Sequence, residues 1–266
     1  MASFVWGRDP QEAFEEPYEY EGQEQFVREA QAVLPKLYRL LNAEQGYTLD
    51  DVSADKAVWL LTMDTLDSLR DCLSALVRKS HRVAGKLFRD VRETIDLAAY
   101  FRSGDPKSQA SLKRWYADKI VPHSEYRDYV QRTRSETEAK DLAKHYSSLS
   151  RFTHRTYRAI LDGYVRGGGN RLAHDSSDEL FSNDPQRLLV LPQTIASYYA
   201  ALSNLILEFA DLLPGLGLAT ADQVRDAFAD SFEAGTVPRR FTPRRLLAER
   251  LRESRRPGPE DDASGS

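Results

Sequence analysis

The sequence predicts an all-α protein, a helical bundle with a short Arg-rich extension at its C-terminus. Apolar side chains recur at steps of three and four residues through several long stretches, which is the pattern of a helix with one buried face. Glycine and proline fall between these stretches, where helices end. The alternation of apolar and polar residues that indicates a half-buried strand is not found, and neither is an internal repeat.

Four stretches with helical periodicity lie in the first half of the chain. They cover residues 23–42, about 53–77, 83–101 and 108–120. Gly46 follows the first stretch, and Gly104 with Pro106 ends the third. Asp50 or Ser53 is placed to cap the second helix, because both side chains can accept a hydrogen bond from a free backbone N–H. The polar residues after Pro122, up to about 134, are expected to form a connecting loop.

The second half is predicted to contain longer helices separated by clear breaks. One helical pattern spans residues 136–165 and ends at Gly167, Gly168 and Gly169. A strongly apolar pattern covers about 188–213. A short helix follows Thr220, where Gln223 three residues later completes the pattern of a capping box. A last helix is expected between 243 and 256.

Composition is typical of a globular, cytoplasmic protein with one main domain. The chain has 266 residues, of which 41% are hydrophobic and 29% charged. No apolar window is long enough for a membrane-spanning helix, and the first residues do not resemble a secretory signal. The single cysteine, Cys72, lies in an apolar helical pattern and is expected to be a buried structural thiol. The predicted bundle domain covers residues 23–235.

Charge is distributed unevenly between the two ends. Residues 1–22 form an acidic segment without a lysine and with Arg8 as the one arginine. Residues 236–266 are predicted to form a partly disordered tail, which carries eight arginines and two glutamates between 239 and 256. Such a tail is a candidate contact for RNA or a protein partner. Its first arginines, which are the expected contact residues, are Arg239, Arg240, Arg244 and Arg245.

Two polar patterns lie on predicted helices. Arg89 and Glu93 are four residues apart, so they share a helix face and can form an ion pair. Ser150, Arg151 and His154 form a second polar stripe, but no acidic residue is placed to orient the histidine as a catalytic triad requires. His145, His154 and His174 do not have the spacing of metal ligands, so neither a metal nor a cofactor is expected.

The segment 167–175, Gly-Gly-Gly-Asn-Arg-Leu-Ala-His-Asp, carries the residues best suited to phosphate chemistry. It lacks the Lys-Ser/Thr of a nucleotide-binding P-loop. Arg171 can hold a phosphate through its planar guanidinium, and His174 can act as a general acid or base near neutral pH. This combination favours attack on a phosphodiester.

Asn170 to His174 resembles the RN-x-x-x-H segment of HEPN domains. HEPN proteins are helical bundles, often dimeric, and many are metal-independent ribonucleases of defence or toxin–antitoxin systems. The resemblance implies His174 as the base and Asn170 as the orienting residue. The Arg89–Glu93 helix, the stretch around Trp115, and Leu149-Ser150-(x3)-His154 resemble a related family of uncharacterised bacterial helical proteins.

One position departs from the HEPN pattern. The arginine of that pattern falls at residue 169, which is glycine here, so Arg166 or Arg171 would have to replace it. The first functional hypothesis is therefore a HEPN-like endoribonuclease, with RNA as substrate and a homodimer as the expected assembly. The alternative is a non-catalytic helical module that binds a protein or nucleic acid through its basic tail. Convergence of His154 and His174 on one cleft would favour the first, and separate buried positions the second.

Overall fold

The computed structural model describes residues 19–42, 46–78, 80–133, 135–153, 164–167, 171–174 and 191–229. Most of these residues are helical, which confirms the predicted all-α bundle. The helices are α1 (Glu19–Leu41), α2 (Ala54–Val77), α3 (His81–Arg102), α4 (Pro106–Tyr116), α5 (His123–Thr133), α6 (Glu136–Thr153), α7 (Leu191–Leu212) and α8 (Ala221–Ala227). The arginine tail that begins at residue 236 lies outside the described ranges. No helix among the described residues has the length and apolar composition that a membrane crossing requires.

The main core lies where α1, α2, α3 and α7 meet. α2 and α3 form the most extensive helix pair of the described part of the chain. Phe26, Leu66, Phe88 and Tyr198 contribute large buried side chains from the four helices. Cys72 is fully buried in the same core, and burial raises the pKa of its thiol. The prediction of a buried structural cysteine is therefore confirmed.

Helix α7 is the central element of the bundle. Every residue from 198 to 207 is buried, so this part of the helix faces the protein interior on all sides. The single chain therefore covers the strongly apolar pattern from residue 198 to 207 without a dimer.

A second, smaller core joins α4 and α5 to the ends of α2 and α3. Tyr100 and Phe101 of α3 are buried there together with Leu112 of α4 and Tyr126 of α5. The rings of Phe101 and Trp115 meet edge to face at 5.8 Å. This core holds the pair α4–α5 against the bundle and so positions the side chains between them.

The predicted helix caps are present where the sequence places them. The Ser53 hydroxyl accepts a hydrogen bond from Lys56 N at the start of α2, which selects Ser53 over Asp50 as the cap. Thr220 and Gln223 form the reciprocal hydrogen bonds of a capping box at α8. Gly217, in the turn after α7, has a φ of +74°, and a Cβ there would collide with Arg102. Glycine is favoured at this turn, because its positive φ strains other residues and because the end of the Arg102 side chain would have to move to admit a Cβ.

Two secondary-structure predictions were wrong. Residues 123–133 form helix α5 instead of a loop, because Tyr126 and Val130, one turn apart, are buried against the bundle. The helix predicted for 136–165 is described as α6 up to Thr153, and residues 154–163 lie outside the described ranges. Residues 164 and 165 are not helical, because Tyr164–Gly167 form strand β1, which pairs in antiparallel fashion with β2, Arg171–His174. The Gly-rich residues 168–170 separate the two strands, as a hairpin requires.

Candidate functional site

The hairpin β1–β2 carries three of the four residues predicted for catalysis. In its register, Tyr164 pairs with His174, Arg166 with Leu172 and Gly167 with Arg171. Positions in a ladder alternate between its two faces, so Arg166 and His174 belong to one face and Arg171 to the other. Asn170, the predicted orienting residue, lies outside the described residues. The backbone register thus assigns the positions of Arg166 and Arg171 to opposite faces of the hairpin.

The second polar stripe is described only in part. Ser150 lies on α6, and its hydroxyl donates a hydrogen bond to the backbone carbonyl of Tyr146 at 2.9 Å. Its proton is therefore used within the helix, as is common for helical serine. The backbone of Arg151 belongs to α6, whereas His154 lies outside the described residues. A shared cleft for His154 and His174 stays a prediction, as do the partner contacts of Arg239, Arg240, Arg244 and Arg245.

The Arg89–Glu93 pair is confirmed, and it belongs to a larger cluster between α3, α5 and α6. Arg89 Nε donates to Glu93 Oε1 at 2.8 Å, and the Tyr146 hydroxyl donates to the same carboxylate. The hydrogen bond to Glu93 raises the pKa of the Arg89 guanidinium, so this arginine remains charged. Burial, together with Glu93, raises the pKa of Tyr146, so this phenol is protonated at neutral pH.

Two guanidinium groups lie over the ring of Tyr146. Arg89 is 5.2 Å from the ring centroid, and Arg127 of α5 is 4.1 Å from it. Both distances are within the range of an attractive cation–π contact. Tyr146 is only 8% exposed, so these contacts hold α5 and α6 together instead of offering an open stacking surface.

A buried ion network lies beneath this cluster. Arg92 is 4% exposed and bonds through two nitrogens to Asp96, at 2.7 and 3.2 Å, and through a third to Glu208 of α7 at 2.7 Å. Burial opposes the charge on Arg92, but Asp96 and Glu208 raise its pKa above the usual value. Arg92 therefore stays charged between its two carboxylate partners, and the network connects α3 to the central helix.

A cavity of about 20 Å³ lies beside the network, bounded by Arg92 and Asp96 of α3 and by α5 and α6. This volume holds about one water molecule, too little for a substrate. Because Arg92 and Asp96 are paired there and Arg127 lies over the Tyr146 ring, we interpret the cluster and the network as the structural polar centre of the bundle.

Sequence reasoning missed Arg127, Tyr146 and Glu208 as members of this centre. The one available signal was the spacing of Arg89, Arg92, Glu93 and Asp96, which places four charges on adjacent parts of one helix face. Four charges on the core side of a helix require partners, but the spacing does not say which helices supply them.

A wide groove lies on the outer side of α5, between this helix and α4. Its volume is about 700 Å³, and it is open to solvent. It is lined by Tyr100, Lys107, Ala110, Arg114, Glu125, Asp128, Gln131 and Arg132. Three of these side chains are cationic and two are carboxylates, so the groove is polar and carries a small excess of positive charge.

Within the described ranges, no group of three or more histidine, cysteine, aspartate or glutamate side chains is arranged to hold a metal ion. Comparisons of this chain with protein-family models, with curated proteins and with solved structures find no match.

Proposed function

We propose that this protein is a metal-independent endoribonuclease of the HEPN-like type, with His174 as general base and Arg166 as the residue that binds the scissile phosphate. The observation that carries the proposal is the hairpin register, which assigns Arg166 and His174 to the same face. Diagonal neighbours on one face of a ladder are about 7–8 Å apart, which a phosphodiester between a histidine and an arginine can span. Arg166 thus takes the role that the HEPN pattern gives to residue 169.

The proposed reaction uses a nucleophile that RNA itself supplies. His174 accepts the proton of a ribose 2′-hydroxyl, and the 2′-oxygen attacks the adjacent phosphorus. The bond from phosphorus to the 5′-oxygen of the next nucleotide breaks, and that oxygen takes a proton from water. The products are a 2′,3′-cyclic phosphate and a 5′-hydroxyl. Arg166 holds the non-bridging oxygens, whose negative charge increases in the transition state.

The choice between Arg166 and Arg171 gives the sharpest test of this proposal. Arg166→Ala should reduce the cleavage rate of single-stranded RNA about a hundredfold, the usual effect of removing one donor to a developing oxyanion. Arg171→Ala is the matched control, because it removes the same side chain from the other face of the same hairpin. A large loss in Arg171→Ala with none in Arg166→Ala would contradict the assignment.

The proposal also includes a homodimer as the assembly. It further includes RNA as the substrate, the cytoplasm as the location, and a role in a defence or toxin-like system. Helix α7 is buried within one chain from residue 198 to 207, so a dimer would have to use another surface. Sedimentation equilibrium of the full chain measures the assembly directly. A monomer at all concentrations would remove the dimer from the proposal and leave the chemistry of the hairpin unaffected.

A second candidate function is a binding module that uses the basic tail. The observation in its favour is the group of eight arginines and two glutamates between residues 239 and 256. Phosphate contacts by these arginines would make nucleic-acid binding fall steeply with salt. Truncation after residue 236 should then abolish binding, and unchanged binding by the truncated chain would exclude this function.

A further inference from the structure

The groove between α4 and α5 has the dimensions of a ligand site. Its volume of about 700 Å³ falls within the roughly 300–1,000 Å³ of small-molecule pockets. Lys107, Ala110 and Arg114 form one wall, because residues three and four apart lie on one face of α4. Asp128, Gln131 and Arg132 form the facing wall on α5 by the same spacing.

The floor of the groove is formed by a buried, well-packed side chain. Tyr100 contributes to it from α3 and is 1% exposed as a residue. Its ring lies 5.5 Å from that of Tyr129, and its hydroxyl is 3.4 Å from the Ser111 hydroxyl. A ligand would therefore meet a preformed surface that needs little reorganisation.

One carboxylate of the groove is already compensated within the protein. Ser111 donates to Glu125 Oε2 at 2.6 Å, and Arg114 Nη2 donates to the same oxygen at 2.5 Å. The hydrogen bond from Ser111, reinforced by Arg114, lowers the pKa of Glu125. This pair contributes no net charge to the groove.

The remaining charges favour an anion. Arg132 reaches Asp105 only at 3.8 Å, which is longer than a charge-assisted hydrogen bond. Lys107 forms no ion pair within the described part of the chain. Arg132 Nε donates to the backbone carbonyl of Asp128 at 3.2 Å, so the carboxylates near these two cations are Asp128 and the more distant Asp105. Exposed cations with distant partners can exchange them for a phosphate at little cost.

We propose that this groove binds a nucleoside phosphate, with Lys107 and Arg132 as the phosphate contacts. The amide of Gln131, which lies beside Arg132, can both donate to and accept from a base edge. The ligand is either a free nucleotide or one unit of a single-stranded RNA. In the second case the inference rests on the proposed ribonuclease function and extends it, by assigning a substrate-holding surface distinct from the hairpin.

Binding should be measured with the full chain carrying His174→Ala, so that RNA is not cleaved during the experiment. The probe is a fluorescently labelled single-stranded RNA of mixed sequence, and the readout is anisotropy at several salt concentrations. Adding Lys107→Ala and Arg132→Ala should raise the dissociation constant at least about fivefold, and should reduce the salt slope by about 0.7 for each phosphate that the protein no longer binds. Adding Asp128→Asn should tighten binding, because it removes a repulsive charge.

The matched control is Lys113→Ala with Lys119→Ala, which removes the same number of positive charges from exposed positions outside the groove lining. Lys113 lies about 120° around α4 from Lys107. The control should leave the dissociation constant within about twofold of the parent value. An equal loss in both double variants would mean that only overall charge matters, and would overturn the proposal. If Lys107→Ala with Arg132→Ala does not fold, the dissociation constants of Asp128→Asn and of the charge-preserving Lys107→Arg test the groove instead. Asp128→Asn that does not tighten binding would then overturn the proposal.

Competition distinguishes the two ligand sources. Displacement of the labelled RNA by AMP, but not by inorganic phosphate at the same concentration, identifies a free nucleotide as the ligand. Displacement by unlabelled RNA alone identifies an RNA strand, and either result supports the groove. Groove-dependent RNA binding without cleavage by the wild type would disprove the proposed ribonuclease and retain the site. RNA cleavage by the wild type, with no loss of RNA binding in the variant Lys107→Ala with Arg132→Ala, would support the ribonuclease and disprove the groove as a binding site.

Discussion

The hydroxyl of Tyr146 on α6 donates a hydrogen bond to the carboxylate of Glu93 on α3. The same carboxylate accepts from Arg89, one helical turn earlier. This shared acceptor connects two helices through Glu93 and Tyr146, which are 53 positions apart in the sequence. Together with the contact of Arg127 over the same ring, it determines how the pair α5–α6 lies on the bundle.

Tyr146→Phe should lower the free energy of unfolding by about 1–2 kcal/mol, because the half-buried Glu93 loses one of its donors. Urea denaturation measures the change. Tyr129→Phe is the control, since it removes a hydroxyl that forms no hydrogen bond with the described residues while its ring packs against Tyr100. Equal losses in the two variants would show that the bond to Glu93 contributes nothing specific.

Arg92→Met should be more damaging, with a loss of about 3–5 kcal/mol, because the buried Asp96 and the partly buried Glu208 would lose their shared cationic partner. Thermal and urea unfolding report the effect. Arg225→Met, which breaks an ion pair whose side chains are 74% and 76% exposed, should change stability little.

Removing the whole buried network should be less harmful than removing one member. A chain with Arg92→Met, Asp96→Leu and Glu208→Leu contains no unpaired buried charge at these positions, so much of the stability lost in Arg92→Met should return. A triple variant less stable than Arg92→Met would contradict the view that uncompensated charge causes the loss.

Glu125 should make stability depend on pH in the acid range. Its pKa is lowered in the folded protein, chiefly by Ser111 and then by Arg114, so its contribution is complete above the unfolded value of 4.5 and is lost as pH falls through the folded value. Glu125→Gln should therefore be less stable than the wild type at pH 7, by less than about 1 kcal/mol. The difference should shrink below about pH 4, as measured by urea titrations at both pH values.

Lys56 holds the segment before α2 in place. Its ammonium group donates to the carbonyl oxygens of Thr48, Leu49 and Asp51 at 2.7–2.8 Å. Lys56→Met should cost about 1–3 kcal/mol, since three acceptors lose their donor. The exposed Lys86→Met on α3 is the control. Faster proteolysis within residues 46–53 in Lys56→Met, but not in Lys86→Met, would confirm that the lost stability comes from the segment before α2.

Local signals in the sequence were sufficient for much of the fold. The cap at Ser53, the capping box at Thr220 and the Arg89–Glu93 pair all depend on residues within one turn of each other, so spacing alone predicts them. The buried core positions of α2 and α7 follow from helical periodicity for the same reason.

The missed features depend on distant partners. Helix α5 has mostly charged and polar residues, and it is helical because Tyr126 and Val130 find a surface on α3 and α6. The hairpin depends on a pairing between 164–167 and 171–174 that competes with the helical pattern of the same residues. Arg127, Tyr146 and Glu208 come from three different helices, and no local spacing predicts that they meet.

The sequence could predict the residues of the catalytic site but not how the two strands that carry them pair. Both Arg166 and Arg171 flank the glycine run at similar distances, and only the strand register separates them. The groove was not predicted at all, because half of its lining belongs to α5, which the sequence indicated as a loop.

His174 is central to the proposed function, as the base of a metal-independent reaction on RNA. The most direct measurement compares the wild type with His174→Ala in cleavage of a single-stranded RNA in the presence of EDTA. We predict cleavage by the wild type, with a 2′,3′-cyclic phosphate on the product, and a rate at least about a hundredfold lower in the variant. No cleavage by the wild type, or equal rates for the two proteins, would contradict this role.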